Sequence, residues 1–156
     1  MKTEDKEREI FIKLCRYCAY RERSIFELKN KMLSLDIPPS KHNKFIKILE
    51  EENFLNEARY AKSFVLGKFR NNAWGRIKIN HALKESKLSA ELINNALNEI
   101  PEKEYEQKIS SLISKKKQKY KAKNIFQTRQ KIAHYLQTKG FEANLIWEIL
   151  KQDIPD

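Results

Sequence analysis

Apolar residues recur along this chain at helical spacing almost without interruption, and the polar residues between them supply the helix ends. Ile10, Phe11, Leu14, Cys15, Cys18 and Ala19 share one face and predict a helix over Glu7–Tyr20. Ser24, three residues before Glu27, is a capping box that opens a second helix over Ile25–Leu35, with Leu28, Met32 and Leu35 inward. Asp36-Ile37-Pro38-Pro39 stops it, because proline cannot continue a helix and restricts the residue before it. Ser40 then caps a third helix, Lys41–Glu52, with Phe45, Ile46, Ile48 and Leu49 apolar.

The same order follows twice more. Asn56 caps an aromatic-rich helix to Arg70, with Tyr60, Ala61, Phe64, Val65 and Phe69 on one face. Asn71-Asn72 breaks it, a helix over Gly75–Glu85 succeeds it, and Ser89 caps a short one over Ala90–Ile100. Pro101 begins the last round: Glu102–Lys123, then Ile125–Thr138 behind an Asn124/Gln127 capping-box pattern and closed by Gly140, then Glu142–Gln152.

These rounds can be set in register. Leu28, Ile79 and Ile132 correspond, as do Met32, Leu83 and Leu136, and Ile37, Leu88 and Phe141, at offsets of 51 and then 53 residues. A period near fifty with three helices per unit is a solenoid-like pattern, in which each unit has few core residues and leans on its neighbours. The expectation is an all-α protein of three tandem three-helix, helix-turn-helix-like repeats, 1–52, 53–100 and 101–156, forming an elongated, curved rod. Three glycines and four prolines in 156 residues are too few for the tight turns of an all-β sandwich.

Charge sharpens this picture. The net charge of +11 suits a polyanion, either nucleic acid or a protein bound to it. Gln107 to Phe141 holds ten basic residues and no acidic one. The block Lys115, Lys116, Lys117, Lys119, Lys121 and Lys123, continued by Arg129 and Lys131, cannot lie on one helical face, so it rings the exposed side of its helix. A second cluster, Lys68, Arg70, Arg76 and Lys78, surrounds the Asn71–Trp74 turn. Arg21 and Arg23 sit at the equivalent turn of the first repeat, and Lys121 and Lys123 at that of the third. All three repeats thus place positive charge at one corner, which predicts a continuous basic track. Lysine is a point charge suited to phosphate and not to bidentate base reading, so the expected binding is sequence-independent and salt-sensitive. Trp74 either stacks on a base or a partner side chain or plugs the repeat interface, and packing is the reading preferred here; Arg59 is expected to pair with Glu57 or with an acid of Glu50–Glu52.

Phe54-Leu55-Asn56-Glu57-Ala58-Arg59-Tyr60-Ala61, with Phe64-Val65 and Gly75-Arg76-Ile77…Leu83, resembles the central motif of the RecX family, regulators of the RecA recombinase. Tyr20-Arg21-Glu22-Arg23-Ser24-x-x-Glu27-Leu28-x-x-Lys31-Met32 resembles the first-repeat pattern of that family. Lys131-Ile132-Ala133-His134-Tyr135-Leu136-x-x-Lys139-Gly140-Phe141 resembles its third. The motifs fall in the family's order over about residues 9–150. Departures sit at helix ends: Asn56-Glu57 replaces an acidic pair, Pro38-Pro39 stands where Gly-Phe is usual, and Ser86-Lys87-Leu88 lacks the usual glycine. The resemblance implies a curved rod lying in the groove of a RecA–single-stranded-DNA filament, limiting filament growth and damping RecA ATPase, strand exchange and coprotease function in DNA repair and the SOS response. It implies no reaction catalysed by the chain itself.

Catalytic patterns are sparse. No G-x-x-x-x-G-K, H-E-x-x-H or nucleophile elbow occurs, and no cofactor or metal is expected. Cys15 and Cys18 lie on an apolar face with no second cysteine pair and with His42, His81 and His134 far off in sequence, so they read as small core residues. The charged N-terminus is no secretory signal and no window approaches a membrane span, which makes a cytoplasmic, membrane-free monomer the expectation. Two other readings compete: a direct nucleic-acid-binding module, such as a helix-turn-helix transcription regulator, and a metal-dependent nuclease. Ala90–Ile100 and Glu142–Gln152 are too apolar or acidic for recognition helices, and no carboxylates cluster for a metal.

Overall fold

A computed structural model describes residues 3–120 and 124–156. Among these residues the chain forms nine α-helices and no strand: α1 Thr3–Tyr20, α2 Ile25–Ser34, α3 His42–Glu51, α4 Glu57–Asn72, α5 Arg76–Glu85, α6 Ala90–Leu97, α7 Glu102–Lys119, α8 Ile125–Thr138 and α9 Ala143–Asp153. The all-helical, three-helix-repeat reading holds.

Side-chain caps open four of the helices. The Ser24 hydroxyl accepts from the Glu27 amide at 3.0 Å, and Glu27 reaches back to the Ser24 amide. Asn56, Ser89 and Asn124 accept from the amides of Arg59, Leu92 and Gln127. Several ends differ from expectation. Asn71-Asn72 do not break α4 but form its last residues, and the chain turns instead at Ala73, whose φ is 54°. α6 ends at Leu97 rather than Ile100. α1 starts earlier, where Glu4 and Asp5 complement the helix dipole. Ser40 is not a cap: Pro38, Pro39 and the residues to Lys41 form a 3-10 turn that leads into α3, since proline is preset for a first helical turn. α7 ends at Lys119, with Tyr120 extended, and the rest of the helix expected to Lys123 lies outside the described residues.

The second helices of the three repeats close alike. Asp36, Lys87 and Gly140 have positive φ of 59°, 64° and 94°, and are spaced by the repeat offsets of 51 and 53 residues. The next amide then bonds back five residues, Ile37 to Met32, Leu88 to Leu83 and Phe141 to Leu136. This is a left-handed helix end with a hydrophobic residue behind it. Ile37, Leu88 and Phe141 are buried, as are the other two sets of matched residues. Lys87 therefore does in the second repeat, at a conformational cost, what glycine does in the third.

The helices pack as two compact units. One comprises residues up to Ser63 with Leu83–Ile93. Its core joins Leu14 and Cys18 of α1, Leu28 and Met32 of α2, Phe45, Ile46 and Leu49 of α3, and Leu55. His42 is buried there, its Nε2 2.9 Å from the Ile37 carbonyl oxygen. The other unit comprises Phe64–Ala82 and Asn94–Asp156. It centres on Tyr105, stacked on Phe69 at 5.6 Å and tilted against Phe141 at 5.3 Å, with Ile109, Ile113, Ile132, Leu136, Ile146 and Leu150 around them.

Candidate functional site

Helix starts and turns position the charged residues of interest. In the second unit, Gly75 precedes α5 and donates its amide to the Lys139 carbonyl at 2.8 Å, while Ile77 donates to the Gly140 carbonyl at 3.0 Å. The amides of one helix start thereby use the carbonyls of another helix end, groups that would otherwise be orphaned. The approach is close enough that a β-carbon on Gly75 would lie 2.3 Å from the Gly140 carbonyl carbon.

The docking delivers Arg76 into a closed network. Its guanidinium lies 3.8 Å from the Tyr105 ring centre and pairs with Glu142 at 2.8 Å and Glu102 at 2.5 Å. The Tyr105 hydroxyl accepts from the Arg76 backbone amide at 3.0 Å and donates to Glu142 in a short hydrogen bond. Burial, and then the bond to Glu142, push the Tyr105 hydroxyl far above its ordinary value, so it stays protonated. Burial opposes the charge on Arg76, but the Glu142 pair outweighs it. Arg76 is thus held by internal partners. Glu142, the residue before α9, serves this network instead of capping its own helix.

The other arginines of the basic clusters are similarly engaged. Arg21 pairs with Glu27. Arg23 is buried, 3.7 Å from the Tyr17 ring centre, and donates to the Tyr17 carbonyl at 2.9 Å. Arg70 grips Glu104 with two bonds of 2.9 and 3.0 Å. Arg129 donates to the Ile154 carbonyl and pairs with Asp156. Arg59 finds Glu22 at 2.6 Å and both oxygens of Asn53 at 3.0 Å, rather than Glu57 or an acid of Glu50–Glu52. The reason is packing: Glu22 sits in the α1–α2 turn beside the start of α4, while Glu57 accepts from the Ile25 amide at 3.0 Å.

The lysines behave differently. Among the described residues, Lys68, Lys78, Lys115, Lys116, Lys117, Lys119 and Lys131 make no ion pair. Lys115, Lys117, Lys119 and Lys131 are exposed. Several ammonium groups rest near aromatic rings. Lys68 and Lys78 lie 4.9 and 4.6 Å from the Trp74 ring centre, Lys116 4.0 Å from Tyr135, and Lys131 6.0 Å from Tyr120. In the first unit, Lys31 lies 5.4 Å from Tyr17, beside a hollow of about 320 Å³ also lined by Lys13, Arg16 and the exposed Tyr20. Lys121 and Lys123 lie outside the described residues. Lys139, which no motif singled out as a contact, joins the Trp74 corner: its ammonium donates to the Asn72 carbonyl at 2.9 Å, and burial and then Lys78 lower its pKa.

The cysteines carry ordinary core chemistry. Both are free, and burial pushes the Cys18 thiol up to about 11. Among the described residues no three His, Cys, Asp or Glu side chains come together as metal ligands, and no helix is long and apolar enough to cross a membrane.

These features define a basic, all-helical protein of three-helix repeats, in which the arginines of the basic clusters have internal partners and the described lysines of those clusters make no ion pair. The RecX models match two stretches: the second three-helix domain over residues 56–97 and the third over residues 103–150. The chain belongs to the RecX family. Regulatory protein RecX of Oceanobacillus iheyensis is 29% identical over 137 residues, which is 87% of this chain and 50% of that protein. Regulatory protein RecX of Clostridium beijerinckii is 27% identical over 129 residues, 81% of this chain and 59% of that one. The chain spans about half the length of the curated relatives it matches. The crystal structure of RecX from Lactobacillus salivarius superposes with a TM-score of 0.88 at 24% identity, covering 96% of this chain and 97% of that one, and so shares the fold.

Proposed function

We propose that this chain is a non-enzymatic cytoplasmic regulator that docks on the RecA–single-stranded-DNA filament as a monomer and mainly inhibits RecA ATPase, strand exchange and coprotease activity. Membership of a family of regulatory proteins supports the class. The observation that carries the surface is the contrast between lysines and arginines. The unpaired Lys68, Lys78, Lys115, Lys116, Lys117, Lys119 and Lys131 are available to phosphates or acidic protein groups, as lysine point charges are. Arg21, Arg23, Arg70, Arg76 and Arg129 already have partners and contribute by holding the frame. Many weak contacts spread over several filament protomers give avidity without a deep pocket.

The test is the single-stranded-DNA-dependent ATPase of the cognate RecA, with this protein titrated in. Inhibition well below one regulator per RecA protomer supports filament docking. Inhibition only at levels that coat the DNA points to competition by a plain nucleic-acid-binding module. No change despite tight DNA binding overturns the proposal.

A further inference from the structure

Trp74 is the residue this reading leaves unexplained. It sits in the turn between α4 and α5, half-buried, with its backbone amide bonded to the Lys68 carbonyl at 3.1 Å. Its indole N–H finds no partner among the described residues and is not enclosed. Lys68 and Lys78 stand over the ring, and Lys139, bonded to the Asn72 carbonyl, interacts with Lys78. None of the three forms an ion pair among the described residues.

Three cations without a carboxylate repel one another. Burial, and then the neighbouring Lys78, lower the pKa of Lys139. Such a corner is relieved by an anion that brings several negative charges together. A flat ring next to it adds a second preference, for a ligand with a π-face. Phosphate and a planar base within one repeating unit describe single-stranded nucleic acid; an acidic peptide satisfies the lysines but has no use for the indole.

We infer that the Trp74 corner is a stacking platform for single-stranded nucleic acid: a base lies on the indole, and Lys68 and Lys78 swing from the ring to the flanking phosphates. The binding is indifferent to base identity, since every base has a π-face. The same association of ring and lysine recurs beside the turn between first and second helices in the other repeats, at Tyr17 with Lys31 and at Tyr120 with Lys116 and Lys131. The inference rests on the filament reading only in naming a single strand as the ligand. It is tested without RecA.

The experiment measures binding of the full chain to a fluorescent oligothymidylate by anisotropy across a salt series. Trp74→Ala should weaken binding about tenfold, and Trp74→Phe should retain most of it because a phenyl ring also stacks. Lys68→Ala with Lys78→Ala should flatten the log–log salt slope by about 1.4, the loss of two single-strand phosphate contacts. In a Trp147→Phe background, where Trp74 is the sole tryptophan, the oligonucleotide should quench emission and polyglutamate of matched charge should not. Less than threefold weakening by Trp74→Ala, or equal quenching by polyglutamate, overturns the platform; the latter assigns the corner to acidic protein. Trp74→Phe and the lysine variant keep the test open if Trp74→Ala misfolds. A failed platform with RecA inhibition intact leaves the filament reading standing, and the reverse outcome leaves the platform standing.

Discussion

Gly75 and Gly140 meet backbone to backbone. A β-carbon on Gly75 would lie 2.3 Å from the carbonyl carbon and oxygen of Gly140, and one on Gly140 would lie 2.4 Å from the Lys78 β-carbon. The α5 start can accept Lys139 and Gly140 as acceptors only because neither glycine has a side chain. Gly75→Ala meets backbone, which cannot move aside, and should destabilise by about 1–3 kcal/mol or more. Gly140→Ala meets the Lys78 β-carbon and adds the strain of φ +94°. Thermal unfolding followed by circular dichroism checks both, and an unchanged midpoint for Gly75→Ala would refute the close approach.

Lys87 offers the opposite sign. It occupies the left-handed position that Gly140 fills in the third repeat and Asp36 in the first. Aspartate tolerates that region better than lysine does. Lys87→Gly removes a cost of about 1–2 kcal/mol while loosening the unfolded chain by about 0.5–1 kcal/mol. A net gain of up to about 1.5 kcal/mol in denaturant unfolding is expected, and Asp36→Gly should gain less.

Tyr105 makes folding sensitive to alkali. Its hydroxyl is far harder to ionise when folded than in the unfolded chain, where the ordinary value is 10.0. Raised folded pKa means that the folded state holds the proton more tightly. The contribution is therefore complete below pH of about 10 and declines as pH rises beyond it. Tyr105→Phe should cost about 1–3 kcal/mol at neutral pH by stripping the hydroxyl from the Arg76 amide and Glu142. It should also lose less stability than the parent between pH of about 9 and 11, which parallel unfolding titrations would measure.

Arginine and lysine substitutions should separate stability from binding. Arg76→Ala leaves Glu142 and the Tyr105 face without their cation, and should lower the unfolding midpoint. Replacing Lys115, Lys117 and Lys119 by alanine should leave that midpoint within about 0.5 kcal/mol of the parent. The same triple substitution should reduce the salt slope for single-stranded DNA by about 2, one contact's worth of counterion release for each lysine. A triple variant that unfolds early while binding normally would contradict the assignment.

Much of this fold is legible from residues close together in the chain. The Ser24 capping box, the Asn56, Ser89 and Asn124 caps, and the hydrophobic stripes each involve positions three to five residues apart. The repeat register rests on residues that all proved buried, from Leu28, Ile79 and Ile132 to Ile37, Leu88 and Phe141. The unequal ends were harder. A double proline can either stop a helix or lead into one, and at Pro38-Pro39 it does both.

The candidate surface was only half legible. Its composition and turn positions were plain in the order of residues, yet arginines and lysines stood there as equals. Packing divided them: Glu142 reaches Arg76 across 66 residues, Glu22 reaches Arg59 across 37, and Glu104 reaches Arg70 across 34. No local pattern encodes such partners, because an ion pair depends on which helix faces meet. Helices, caps and repeats follow from short-range geometry, and the chain writes them directly. Which cations are spent inside and which are left for a ligand emerges only once the helices have packed, since only then do distant carboxylates come within reach of a charge.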